Sequence, residues 1–297
     1  MTRLSTAARD PRAKFGKRFE LQAQCLAKYL GELNPDCKRR LIHDTRVLTR
    51  RLRATLSAVE NAPFAKRDSR EAIQNFKKAL KKFGKRLGPV RALDVMEKQV
   101  RELLEAKPPA EQDVLEFCAS EFGRQKKRAR RALAKKNRPL VKRLASAKPI
   151  AWFADIDWPK FLIALERNSG EESRDALINW RDFEKSGKLA NLHQTRIHLK
   201  KWKYLMEIQN LFRAAKSQLP VESLKHLQDQ LGSVHDRQVL LEMLASKEMK
   251  AAAPSKNNRD AWKQWRQSLE QELDHTLRKL RDGDALEDIS RAMMRSA

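Results

Sequence analysis

His43, Arg46, Arg50 and Arg53 follow one another at steps of three, four and three residues within Leu-Ile-His-Asp-Thr-Arg-Val-Leu-Thr-Arg-Arg-Leu-Arg (41–53). The pattern returns without a gap in Asn-Leu-His-Gln-Thr-Arg-Ile-His-Leu-Lys-Lys-Trp-Lys (191–203), as His193, Arg196, Lys200 and Lys203. Arg51 answers to Lys201 in the same alignment. On a helix, each set of four falls within an arc of roughly 80°. Such a line of cations repels itself, and no acid on that face quiets it. It is useful where something polyanionic lies along it. Arginine offers phosphate a planar two-pronged donor set, and lysine a mobile point charge. An isolated lysine usually just solvates a helix surface. A whole row repeated in register is a different object, and two such rows can wall one groove.

A further comb of cations follows the first row. Lys78, Lys81, Lys82 and Lys85 sit at i, i+3, i+4 and i+7, and Arg91 comes soon after. A second stretch also repeats, 80–95 against 224–239. In it Leu80, Lys81, Leu87, Gly88, Val90 and Val95 return as Leu224, Lys225, Leu231, Gly232, Val234 and Val239. The chain thus reads as a duplicated unit, a basic helix followed by a helix pair joined at Leu-Gly-x-Val. The glycines suit a helix end that turns back. If the halves pack about a twofold axis, the cations of both converge on one strip.

His43 and His193 head the two rows. Each reads either as a phosphate contact or as a hydrogen-bonded packing residue. A metal is the weaker reading: His193 and His198 are five apart, which is poor for one helical face, and no His-x-x-x-His supports them. His235-Asp236 stands at the second junction and Asp94 near the first, where an aspartate is most often a cap or an arginine partner. No nucleophile elbow, paired-carboxylate signature or nucleotide-binding glycine loop occurs. The residues predict no catalytic centre, no metal and no cofactor. The six tryptophans read as core or interface residues.

Composition agrees with an anionic partner. The 297 residues hold 64 Lys and Arg against 38 Asp and Glu, a net charge of +26. Aromatics make up only 6%, too few to supply stacking platforms for single-stranded bases. Three scattered cysteines fit a reducing compartment rather than a disulfide framework. No apolar run of about 18 residues exists to span a bilayer, and the first residues lack an apolar signal core. A cytoplasmic location without a membrane partner follows as the expectation.

Strand signals are nearly absent, and Ala, Leu, Lys, Arg, Glu and Gln dominate, so an all-α fold is expected. Helices are predicted over 15–33, 37–60, 65–87, 90–106 and 110–136, with Gly88-Pro89 breaking the third from the fourth. Leu41, Leu48, Leu52 and Val59 form the expected apolar face of the second, opposite its cations. The proline-rich stretch 137–159 reads as the junction between halves. Beyond it, helices are expected from near Glu171 to Ser186 and over 189–215, 221–231, 234–247 and 259–281. The domain reading is a short tail, 1–14, then one domain over 15–297 made of repeats at about 15–147 and 160–297.

In order, His43 to Arg53, Leu87 to Val95, Leu192 to Tyr204 and Leu227 to Leu240 resemble the four signature segments of the CHAD domain, the conserved histidine α-helical domain. The likeness covers roughly Phe15 to Arg281. It implies a duplicated helical bundle with a central basic channel that binds inorganic polyphosphate, without catalysis and at polyphosphate granules. It points to His43, Arg46, Arg50, Arg53, Lys81, His193, Arg196, Lys200, Lys203 and Lys225 as binding residues. Ala92 departs from the family's Arg-Asp pair at the first junction, which touches a local cap or ion pair more than the channel. A linear phosphate polymer carries charge and no bases, which matches rows of cations without aromatic platforms. The competing readings are a nucleic-acid binder using backbone phosphates alone and, last, a phosphohydrolase or kinase acting on polyphosphate. The last would need metal-holding carboxylates, and Asp44, Asp94, Asp229 and Asp236 are not symmetric between the halves.

Overall fold

The computed structural model describes residues 10–60, 62, 67–106, 112–135, 149–154, 156–214, 219, 221–246, 249, 259–283 and 290–291. Among these residues the fold is all-α, with no β-strand. The helices are α1 (Pro11–Glu32), α2 (Arg39–Glu60), α3 (Arg67–Ala106), α4 (Gln112–Lys135), α5 (Pro149–Ala154), α6 (Trp158–Ser186), α7 (Leu189–Gln209), α8 (Lys225–Leu244) and α9 (Arg259–Arg281). A 3₁₀ turn, Val221–Leu224, leads into α8.

Helix ends follow local chemistry. Asp10 caps α1 by accepting from the Arg12 N–H at 2.9 Å, with Pro11 in the first turn. Asp157 likewise accepts from the Lys160 N–H at 3.2 Å at the start of α6, with Pro159 in the first turn. Proline's fixed φ and missing N–H suit these positions. Gly187 ends α6 at φ 66°, where a side chain would be strained, and its N–H reaches the Phe183 carbonyl.

Several predicted boundaries differ. Helix α6 begins at Trp158 rather than near Glu171, because Pro159 initiates a helix instead of closing a junction. Gly88-Pro89 does not break α3, which runs through both. Pro89 lies on the exposed face, where water can take the carbonyl that loses its backbone donor. Gly232 is likewise interior to α8. Helix α7 ends at Gln209, and α1 starts four residues before Phe15. Much of the expected junction, 137–159, lies outside the described residues.

The packing order along the two halves runs in parallel. Helix α1 packs on α2, α2 on α3 and α3 on α4; α6 packs on α7, α7 on α8 and α8 on α9. Across the halves, α2 meets α7 and α3 meets α8. The core has three parts. One gathers α1, α2, the first half of α3, α5 and the start of α6. There Phe15 stands edge-on to Phe153, Trp158 and Phe161, at centroid distances of 5.1, 5.6 and 5.8 Å. A second lies among α6, α7, α8 and α9, around Trp180 and Trp202. A third joins the second half of α3 to α4, α8 and α9, around Phe122 and Trp265. Trp152 and Trp262 pack against the first and third, so all six tryptophans are in or against the core.

The buried stripe of α2 differs from the expected one. It is Ile42, Thr45, Thr49, Leu52, Leu56 and Val59, while Leu41 and Leu48 are only partly buried. The threonines enter because each hydroxyl donates to the carbonyl one turn back: Thr45 to Leu41 at 2.6 Å, Thr49 to Thr45 at 2.7 Å. In α7, Thr195 does the same to Asn191 at 3.0 Å, within the stripe Leu192, Thr195, Leu199, Trp202 and Met206. The cations therefore stand one residue past each buried position, about 100° round the helix rather than opposite it. They line the edge of the core.

Candidate anion-binding cleft

That placement decides the electrostatics. His43, Arg46 and Arg50 of α2, Arg91 of α3, and His193, Arg196 and Lys200 of α7 line one cleft of about 670 Å³, closed on its remaining side by α8. Gly88 of α3 and Gly232 of α8 are also in its wall. A Cβ built on Gly88 would meet Nη1 of Arg46 at 3.9 Å, and one on Gly84 would meet Nη1 of Arg53 at 3.5 Å. Both guanidinium groups therefore lie close along the glycine face of α3, at distances where a Cβ would make ordinary contact.

Among the described residues, none of Arg46, Arg50, Arg53, Arg91, Arg196 or Lys200 forms an ion pair within 4.0 Å. Partial burial removes water from these cations, and they face one another. Arg46 is lowered to about 10, first by burial and then by Arg50, Arg196 and Arg91. Lys200 falls to about 7, again chiefly by burial, with Arg196, Arg50 and Arg46 pushing the same way and Asp236 opposing. Arg53, Arg91 and Arg196 are also lowered by burial. Nε of Arg53 and of Arg196 is buried without a hydrogen-bond partner. Buried donors seldom go unmet, and like charges gathered in a half-dry cleft are costly. Both costs fall when an anion enters.

The histidines sit on the same walls. The His43 ring is exposed; partial desolvation and Arg91 lower its value, while Asp44 opposes. His193 is lowered by burial, Arg196 and Lys200. His235 drops to about 4, by burial, Arg196 and His193. In all three the shift favours the neutral ring. Neither His43 nor His193 makes a hydrogen bond among the described residues, so each is free to face a ligand. His198 is instead structural: its Nδ1 lies 2.7 Å from a Glu172 carboxylate oxygen, joining α7 to α6.

Other predicted residues stand apart. Arg53 and Lys201 line a neighbouring cavity that shares Arg50 and Lys200 with the cleft, and Lys201 pairs with Glu172 at 2.9 Å. Arg51 turns toward α1 and lies 3.4 Å from Glu207, which also holds Arg18 at 3.6 Å. Lys203 is half-buried and is not among the lining residues. Lys78, Lys81, Lys82 and Lys85 are on α3, outside the cleft and without ion pairs among the described residues. Lys225 is exposed and 3.7 Å from Glu222.

The α8 wall was less legible. His235, Asp236, Asp229 and Gln228 line the cleft. In the aligned repeat His235 occupies the place of Arg91, and Asp236 that of Ala92, which was the available signal. Asp236 is raised by burial against the pull of Arg196, Arg91 and Lys200. The other junction aspartate, Asp94, is buried away from the cleft and held by Arg130 at 2.8 Å. Among the described residues no group of three or more His, Cys, Asp or Glu could hold a metal ion, and no helix is long and apolar enough to cross a membrane.

Residues 21–245 match the CHAD domain family, and the chain belongs to that family. Among solved structures it is similar to the CHAD domain from the plant Ricinus communis, with a TM-score of 0.59 and 19% identity over 95% of this chain and 90% of that one. That likeness is one of fold. No curated protein matches.

Proposed function

We propose that the cleft binds linear inorganic polyphosphate without catalysis, and that this binding takes the protein to polyphosphate granules in the cytoplasm. One observation carries the reading. Two walls of arginine and lysine, from α2 and α7, enclose a single cleft and form no ion pair within 4.0 Å among the described residues. A chain of closely spaced charges without bases uses such walls fully. The two halves act as copies of one unit. The matching order of helix packing supports this, as does the like placement of Thr45 and Thr195 on their helices. The carboxylates Asp229 and Asp236 lie on the α8 wall alone, which fits a site that holds phosphate better than one that cleaves it.

The test is a titration against phosphate chains of graded length at two ionic strengths, with DNA and RNA as competitors. Affinity should climb with chain length, fall steeply with salt and leave orthophosphate weakly bound. Displacement of polyphosphate by nucleic acid at equal phosphate concentration would transfer the site to nucleic acid. Phosphate release with Mg²⁺ or Mn²⁺ would make it an enzyme.

A further inference from the structure

The basic cleft continues past Arg50 and Lys200. These two residues, with Ile197, also wall a second chamber of about 580 Å³ between α2, α6 and α7. Its chemistry is different. Ala54, Ala58 and Leu205 give it an apolar floor beside the ring of Tyr204. Asn168 and Ser57 add neutral polar groups, and α6 contributes Glu171 and Glu172. Glu172 is engaged by Lys201 at 2.9 Å and His198 at 2.7 Å, and Glu171 and Arg53 also stand in the wall, so beyond the shared Arg50 and Lys200 the chamber adds as many acids as cations. A bare phosphate chain gains nothing from an apolar floor, and Glu171, which Arg167 holds at 3.8 Å, offers it no donor. The chamber suits a flat group with apolar faces and polar edges, attached to the phosphates next door. Its volume is that of an ordinary small-molecule site.

We propose that the joined cavities take a nucleoside polyphosphate, with its phosphates between Arg46, Arg50 and Lys200 and its nucleoside in the chamber. The base lies on the floor beside Tyr204, its polar edge meets Asn168, and the ribose hydroxyls donate to Glu171. This rests on the reading of the cleft as a phosphate site.

Calorimetric titration of the full chain with ATP and with inorganic tripolyphosphate, free of Mg²⁺, separates the two ideas. The inorganic chain carries at least as much charge, so charge alone gives ATP no advantage. The chamber predicts ATP tighter by about tenfold, equivalent to about 1.4 kcal/mol. Ser57→Trp, which fills the chamber from the half-exposed face of α2, should bring ATP down to the level of tripolyphosphate and leave tripolyphosphate unchanged. Asn168→Ala should narrow the gap without steric intrusion, and circular dichroism checks that both variants fold. If wild type binds tripolyphosphate as tightly as ATP, the chamber proposal fails and the cleft stands. If neither binds, both fail. Equal weakening of both ligands by Ser57→Trp also defeats the chamber as a separate subsite.

Discussion

The rings of His193 on α7 and His235 on α8 stand 5.2 Å apart, with their planes at 42°. Arg196 and Lys200 face His235 as well, and the pair can hold little positive charge while the cleft is empty. In the aligned segments His235 stands opposite Arg91, and Lys200 opposite Arg50. The α2 and α3 side thus holds three arginines, and the α7 and α8 side holds Arg196 beside groups whose charge an anion would favour.

Proton uptake should accompany binding. Lys200 titrates near 7 when facing Arg46 and Arg50 of α2, Arg196 of α7 and Asp236 of α8. An anion between them raises that value, so binding takes up protons. Affinity for polyphosphate should be nearly level just below pH 7 and fall as pH rises above it, by at most about tenfold per unit for this one group. Lys200→Arg should flatten the fall. Titrations in buffers of different ionisation enthalpy measure the proton uptake directly. In the empty protein the sign reverses: the unfolded chain holds the Lys200 proton up to its ordinary value while the folded chain releases it near 7. Lys200 therefore contributes a rise in stability between about pH 7 and 10.

Charge reversal tests the two walls together. Arg46→Glu with Arg196→Glu puts an anion on each side of the cleft, and polyphosphate binding should be lost while helicity is kept. Unchanged affinity would remove both residues from the site.

The ion pair away from the cleft governs stability instead. Asp94 and Arg130 are buried, and Arg130 also donates to the Cys37 carbonyl at 2.5 Å, tying α4 to α3 and to the start of α2. Asp94→Ala leaves a buried guanidinium without its counter-charge. A loss of about 3–5 kcal/mol is expected in chemical denaturation, with polymer affinity of the folded fraction unchanged.

The comb on α3 should behave as an outer surface. By helical phase Lys81 lies about 20° from Gly88 of the cleft wall and Lys85 about 60°. A chain leaving the cleft along α3 meets these lysines next. Changing Lys78, Lys81, Lys82 and Lys85 to Gln should spare short chains. For long chains it should reduce the slope of log affinity against log salt by up to about 0.7 for each phosphate no longer neutralised. An identical slope would confine binding to the cleft.

What the sequence revealed, it revealed through spacing. The row His43, Arg46, Arg50 and its partner His193, Arg196, Lys200 were readable because a three-four repeat in register survives any choice of helix ends. That Arg51 and Lys225 stand beside acids could not be read, because charge type says nothing about a nearby carboxylate, and the Glu207 beside Arg51 comes from a helix far along the chain. Leu41 and Leu48 outranked Thr45 and Thr49 as core candidates on hydropathy alone. Threonines that satisfy their hydroxyls within their own helix can be buried in their place, and this moved the cations from the far side of the helix to the margin of the core. Gly88-Pro89 read as a stop because tertiary packing on both sides of α3, which keeps the helix going, leaves no local trace.

That uninterrupted α3 has a mechanical result. At 40 residues it is about 60 Å long. Its first half, from Ile73 to Val90, is set in one hydrophobic mass, and its second, from Leu93 to Val100, in another. It works as a beam anchored at both ends, so neither mass can loosen without straining the other. Heating should give one calorimetric transition rather than two, and the mouth framed by that beam should hold its width until the entire molecule gives way.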